Sequence, residues 1–174
     1  SCIFLVSIII LSVFVGCSKS DENNPMDPGN GGGGGGGSIT GQAQITLNGG
    51  EFSNKVFTFS KGIGAYSVGD AVTSMTFLTA NNSDSLVFYI LFSGNTAATR
   101  NWGTDNAITL SIKSSGSSKT FLGITNGSTT VTNYGAVGGK LEGNVSGKIL
   151  ESSANPTEVT ISGTFSALRM PDAQ

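Results

Sequence analysis

Leu86-Val87-Phe88-Tyr89-Ile90-Leu91-Phe92 is the stretch on which the fold of this chain turns. The run is continuously apolar, so it predicts a central strand buried on both faces. Val87, Tyr89 and Leu91 are accordingly expected in the core. Just upstream, Asn81-Asn82-Ser83-Asp84 is a strong turn cluster.

Strand signals continue in both directions. Gln44 to Leu47 alternates and meets the turn pair Gly49-Gly50, and Val56 to Phe59 alternates up to Lys61-Gly62. Val72 to Thr79 is rich in strand formers. Ile108, Leu110 and Ile112 alternate with Thr109, Ser111 and Lys113, the mark of a half-exposed strand. Thr120 to Thr125, Thr129 to Thr132, Lys140 to Leu150 and Glu158 to Leu168 complete the set. No segment carries a sustained helical period with caps. Roughly eight or nine short strands with regularly spaced turns predict an all-β domain over 39–174, an antiparallel β-sandwich, immunoglobulin-like or a related arrangement. The sandwich is favoured over a barrel because 86–92 reads as an inner strand and no symmetric repeat is evident. The expected core is Ile45, Leu47, Phe57, Phe59, Phe77, Val87, Tyr89, Leu91, Ile108, Leu110, Ile112, Leu141, Val145, Ile149, Val159, Ile161 and Phe165.

The C-terminal third reads Val131-Thr132-Asn133-Tyr134-Gly135-Ala136-Val137-Gly138-Gly139-Lys140-Leu141-Glu142-Gly143-Asn144-Val145-Ser146-Gly147, followed by Val159-Thr160-Ile161-Ser162-Gly163-Thr164-Phe165-Ser166 and Arg169. This resembles the closing hairpin of small lipoproteins of Bacteroidota. Val145 departs from that pattern, which has phenylalanine there. The resemblance implies a β-sandwich and a lipoprotein setting, and no activity. The glycines have a structural reading: Gly138-Gly139 suits a turn with positive φ, and Gly143, Gly147 and Gly163 leave room for side chains packing across a sheet. A phosphate-cradling glycine loop would have to open a helix, and none follows.

Composition narrows the chemistry. The 174 residues are 11% charged, with a net charge of −2 and no histidine. Low charge with abundant Thr and Gly suits an exported all-β protein. Basic and acidic residues balance within 39–174, so nothing supplies the basic stripe that nucleic acid requires. Both cysteines, Cys2 and Cys17, precede the domain, which therefore holds no disulfide. With no histidine, Ser-His and Cys-His catalysis is excluded and a zinc site would need carboxylates alone. Every Asp and Glu of the domain falls at a turn or strand flank, so paired-carboxylate hydrolysis is not expected. We expect no enzyme, no metal and no cofactor. Asn81 to Asp84 and Asp105-Asn106 read as Asx turns, because neither has the spaced carboxylates of a calcium loop.

The N-terminal run Cys2 to Val15 is the length of a signal-peptide apolar region and short for a membrane span. Phe14-Val15-Gly16-Cys17 resembles the bacterial lipobox, with Phe14 in place of the usual aliphatic. The resemblance implies cleavage after Gly16 and lipidation of Cys17 with diacylglycerol and a palmitate-type amide chain. Two or three acyl chains anchor stably where one is marginal. Residues 17–38 then form a flexible Gly-rich tether, with seven consecutive glycines from Gly31 to Gly37 and a mean reach of roughly 25 Å. Ser18 after the cysteine favours the outer membrane. Lys19 and Asp21-Glu22 resemble the surface-export signal of Bacteroidota lipoproteins, so the domain is expected at the periplasmic face or the cell surface.

Two kinds of site are candidates. Trp102, beside Arg100 and Asn101 in a polar loop, could stack a sugar whose hydroxyls the neighbours hold; the alternative is that it caps the sandwich. Asp84-Ser85-Leu86 matches the loose tripeptide of Bacteroidota O-glycosylation and makes Ser85 a candidate. The expected role is a membrane-anchored, non-catalytic β-sandwich serving as a binding or structural accessory module. A glycan binder would use Trp102. An envelope protein-interaction subunit would instead show an apolar strip or an open edge strand.

Overall fold

The computed structural model describes residues 41–80, the side chain of Ala80 apart, and 84–174. Residues 1–40, on which the expected signal peptide, lipidation at Cys17 and tether fall, and residues 81–83, within the expected turn cluster, lie outside the described residues. Eleven strands make up most of the described chain, and no helix occurs among the described residues. They are β1 (Gln42–Gly49), β2 (Phe52–Phe59), β3 (Lys61–Ser67), β4 (Val72–Ala80), β5 (Ser85–Ser93), β6 (Ala98–Asn101), β7 (Ala107–Ser114), β8 (Ser117–Gly123), β9 (Gly127–Tyr134), β10 (Lys140–Glu151) and β11 (Glu158–Arg169).

The strands share one hydrogen-bonded network folded into two layers. One layer runs β2-β1-β11-β10-β9-β6 and the other β3-β4-β5-β7-β8, each antiparallel throughout. Two short bridges join the layers. The end of β11 leaves β1 and pairs in parallel with β3 at Leu168–Ile63 and Arg169–Gly64. The end of β10 leaves β9 and pairs with β8 at Leu150–Leu122 and Glu151–Phe121. The fold is thus an all-β sandwich whose two corners are made by the long β10–β11 hairpin, each strand of which changes layers at its end.

Between the layers lies a core of aromatic and branched side chains. Phe59 meets Phe88 at 5.8 Å between ring centroids, Phe77 meets Phe165 at 6.0 Å, and Phe52 meets Phe121 at 5.7 Å, each contact crossing from one layer to the other. Full burial of each such ring stabilises by about 1.5–3 kcal/mol. Most of the expected core is in place, with Ile45, Leu47, Phe59, Phe77, Leu110, Leu141, Ile149 and Ile161 fully buried.

The decisive strand β5 departs from expectation in phase. Phe88, Ile90 and Phe92 are fully buried, whereas Val87, Tyr89 and Leu91 are only half-buried on the outer side. The strand is central in its layer but covered on one face, because a two-layer sandwich leaves the outer side of each sheet to solvent. A continuous apolar run carries no period-two marker, and the larger Phe side chains take the core.

Two strands were not expected, β3 and β6. The alternation of Val56 to Phe59 is expected to end at Lys61-Gly62, yet Gly62 and Gly64 continue into a strand because rings and branches fill the space they leave. A Cβ on Gly62 would stand 2.4 Å from Phe77 Cδ1, and one on Gly64 2.7 Å from Leu141 Cδ1. The glycines of the C-terminal hairpin act in the same way. A Cβ on Gly143 would meet the Thr130 carbonyl oxygen at 2.0 Å, and Gly138 turns with φ of 84°.

Candidate binding surfaces

Arg100, Asn101 and Trp102 follow one another at the end of β6, so their side chains diverge. Trp102 is 6% exposed, and its expected role as a sugar platform is corrected: no ring face is open for stacking. Its ring lies in a slot made by Gly123, Gly127 and Gly147, where added Cβ atoms would stand 2.9, 2.1 and 2.6 Å from Cζ3. The indole Nε1 donates to Thr129 Oγ1 at 3.0 Å, and the backbone N–H donates to the Gly127 carbonyl at 2.8 Å. Trp102 therefore plugs the layer interior, the capping role that the sequence left open.

Arg100 lies over the Phe92 ring, 4.7 Å from its centroid. Its guanidinium donates to the carbonyls of Ser93 at 2.7 Å, Thr96 at 3.0 Å and Ala98 at 3.3 Å, tying the turn from β5 to β6. Partial burial draws its pKa below the ordinary arginine range. Asn101 alone of the three is exposed, paired with Ser128 on the outer side of the six-stranded layer. The three residues form no common site.

Tyr134 and Arg169, both in the stretch that carries the resemblance, converge instead. The Arg169 guanidinium lies 5.0 Å from the Tyr134 ring centroid and pairs with Asp172. The Arg169 backbone N–H donates to the Gly139 carbonyl at 2.9 Å, and its carbonyl accepts from Gly138 at 2.8 Å. Thr73 spends its proton on the Gly94 carbonyl at 2.7 Å, so the Tyr134 hydroxyl is the donor in the 2.8 Å bond between them. These contacts fasten a corner of the sandwich. Asn106 is likewise structural, its side-chain oxygen accepting from the Ser93 N–H at 3.1 Å. Ser85 begins β5, half-buried, opposite Ala80 and Lys113. Among the described residues no group of three or more acidic, Cys or His side chains is placed to hold a metal ion.

The largest surfaces are the outer faces of the two layers, and they differ. On the five-stranded layer the register sets Ile63, Thr76, Tyr89, Thr109 and Leu122 in one row and Leu78, Val87, Ser111 and Thr120 in the next. Leu91 and Ala107 stand in a third row. Ile63 and Leu78 are each 44% exposed. Of the described residues on this face only Lys61 and Lys113 carry charge, both at its margin. Burial among these neighbours pushes the Tyr89 hydroxyl above the ordinary tyrosine range, with a Ser74 hydrogen bond acting the other way. The sequence reading missed this surface by placing Val87, Tyr89 and Leu91 inside; the alternating Phe88, Ile90 and Phe92 were the available signal.

The outer face of the six-stranded layer is polar. One row crosses all six strands as Thr58, Gln44, Thr164, Asn144, Thr130 and Thr99. Its charges are paired, Lys148 with Glu158 at 2.6 Å and Lys140 with Glu142 at 3.9 Å. A groove of about 270 Å³ opens over β2, β1 and β11, lined by Gln42, Ala43, Gln44, Thr58, Thr164, Phe165 and Ser166. Alternation along Gln42-Ala43-Gln44-Ile45 and along Thr160 to Ser166 was the sequence signal for this face. In comparisons with known proteins, no family, curated protein or solved structure matches the chain.

Proposed function

We propose that this chain is a lipid-anchored, non-catalytic interaction module of the outer envelope. In this reading Cys17 carries the acyl chains, 17–38 is the tether, and the sandwich docks an envelope protein through the outer face of its five-stranded layer. The supporting observation is the uncharged apolar field around Tyr89 and Leu91, framed by Ile63, Leu78, Val87 and Leu122. The partner that fits is a protein surface that is itself apolar and uncharged. A charged partner surface would be desolvated there without a counter-charge, and contiguous apolar patches of this kind mark protein contacts. Glycosylation at Ser85, at the margin of this face, would frame it with a polar rim.

The test is a photo-crosslinking residue at position 89 in cells making the full chain, with one at Thr164 as the opposite-face control. The expected result is a discrete adduct from position 89, absent at position 164 and lost with Leu91→Arg. An adduct of twice the chain mass identifies the partner as a second copy and overturns the distinct-partner reading. No adduct, or the same adducts from both positions, overturns the docking face. Protease shaving of intact cells, with a Cys17→Ala control, tests the anchor separately: the variant should be released as soluble protein.

A further inference from the structure

We infer that the groove over β2, β1 and β11, on the layer opposite the proposed docking face, binds a neutral, polyhydroxylated ligand, a glycan. Beside Ala43 and Phe165, its lining residues offer two primary amides, Gln42 and Gln44, and three hydroxyls, Thr58, Thr164 and Ser166. A sugar hydroxyl both donates and accepts, and an amide offers a donor and an acceptor side by side, so the two chemistries match group for group. Charged ligands fit poorly. No Lys or Arg lines the groove to meet a phosphate or sulfate, and no carboxylate lines it to meet a cation.

The groups are also unspent. Among the described residues, the side chains of Gln42, Gln44, Thr58 and Thr164 make no hydrogen bond within the fold. Their neighbours on the same face do, Thr99 with Thr130 at 2.9 Å and Ser166 with Glu142 at 3.3 Å. The Glu142 carboxylate can only accept, so it takes the Ser166 proton and leaves the Ser166 oxygen to accept from a ligand. Alternate residues of these strands, Ala43, Ile45, Phe59 and Phe165, are buried and hold the groove side chains on a fixed backbone.

The row through the groove continues over Asn144, Thr130 and Thr99. Successive strands lie about 4.8 Å apart, so an oligosaccharide lying across them meets an uncharged hydroxyl or amide at every step. No aromatic ring stands on this row, so binding rests on hydrogen bonds and is weak for a single site; many tethered copies on one membrane would raise it through multivalency.

The experiment is a titration of the isotope-labelled full chain in detergent, followed by backbone amide shifts. The probes are cellohexaose, mannohexaose and xylohexaose at millimolar concentration, with inorganic phosphate and calcium chloride as charged controls. The expected result is that one neutral oligosaccharide moves the amides of Gln44, Thr164 and Ser166 and leaves those of Tyr89 and Leu91 in place. Gln44→Leu with Thr164→Val should then weaken binding about tenfold or more, the loss of roughly 1.4 kcal/mol or more. Unchanged core amides at Phe88 and Ile161 would show that the variant is folded. No shift with any of the three oligosaccharides overturns the proposal, as do equal shifts from phosphate or calcium, or unchanged binding by the folded variant.

Discussion

The two layers pack against one core, yet their outer faces differ. The five-stranded layer turns Phe77, Phe88, Phe92 and Phe121 inward and carries Tyr89, Leu91, Val87 and Leu78 on its outer face. The six-stranded layer turns Phe59, Phe165 and the glycines at 127, 143, 147 and 163 inward and has an outer face rich in Thr, Ser, Gln and Asn. Burial dictates only the inner sides. An outer face needs nothing beyond solubility and strand propensity, which the hydroxyl-rich layer satisfies. The apolar outer face of the other layer exceeds that need, and this excess is what motivates reading it as a contact surface.

The largest test of the difference is within β5 itself. Phe88→Ala removes a fully buried ring and should cost about 3–5 kcal/mol, while Tyr89→Ala, one residue along, should cost about 1 kcal/mol. Urea unfolding midpoints compare them, and equal losses would contradict the one-sided burial of the strand. Next is the glycine lining of the other layer. Gly127→Ala places a methyl against the Trp102 ring and should cost about 1–3 kcal/mol. In a Trp102→Leu background the same change should be nearly neutral, because the coupling belongs to the contacting pair.

Smaller still is a charge on the apolar face. Leu91→Arg should change stability by about 1 kcal/mol or less while abolishing the cross-link from position 89. The smallest effect is one of pH. The folded-state pKa of Tyr89 lies above the unfolded value near 10, so the folded protein holds its proton longer. The associated stability is present below pH about 10 and is lost as pH rises through the folded pKa. The wild type should therefore lose more stability than Tyr89→Phe between neutral pH and strongly alkaline pH, again by urea midpoint. A parallel decline of both would place the phenol in full contact with water.

Where a strand alternates, its local pattern was readable. Ala43, Ile45 and Leu47 against Gln42, Gln44 and Thr46 mark β1, and Ile108 and Leu110 mark β7, because period-two polarity is local information. What escaped depends on residues far apart in the chain. Gly62 and Gly64 look like the end of a strand until Phe77, Met75 and Leu141 are known to fill the space above them. Trp102 looks like a loop residue until Gly127 and Gly147 arrive from β9 and β10. Its burial could not be deduced from Arg100, Asn101 and Asp105, which flank it in sequence and diverge in space. Both outer faces are products of register across five and six strands, so neither exists in any single segment.

The β10–β11 hairpin has a consequence for timing. Its second strand supplies the partner of β1 and one bridge between the layers, and its first strand supplies the other. Until β11 is present, β1 lacks its central neighbour and the corner between β11 and β3 is untied. Pairing between such distant segments also makes folding slow, since loop closure precedes any reward from the contacts. A chain built this way completes its six-stranded layer only when its last strand arrives to sit between β1 and β10.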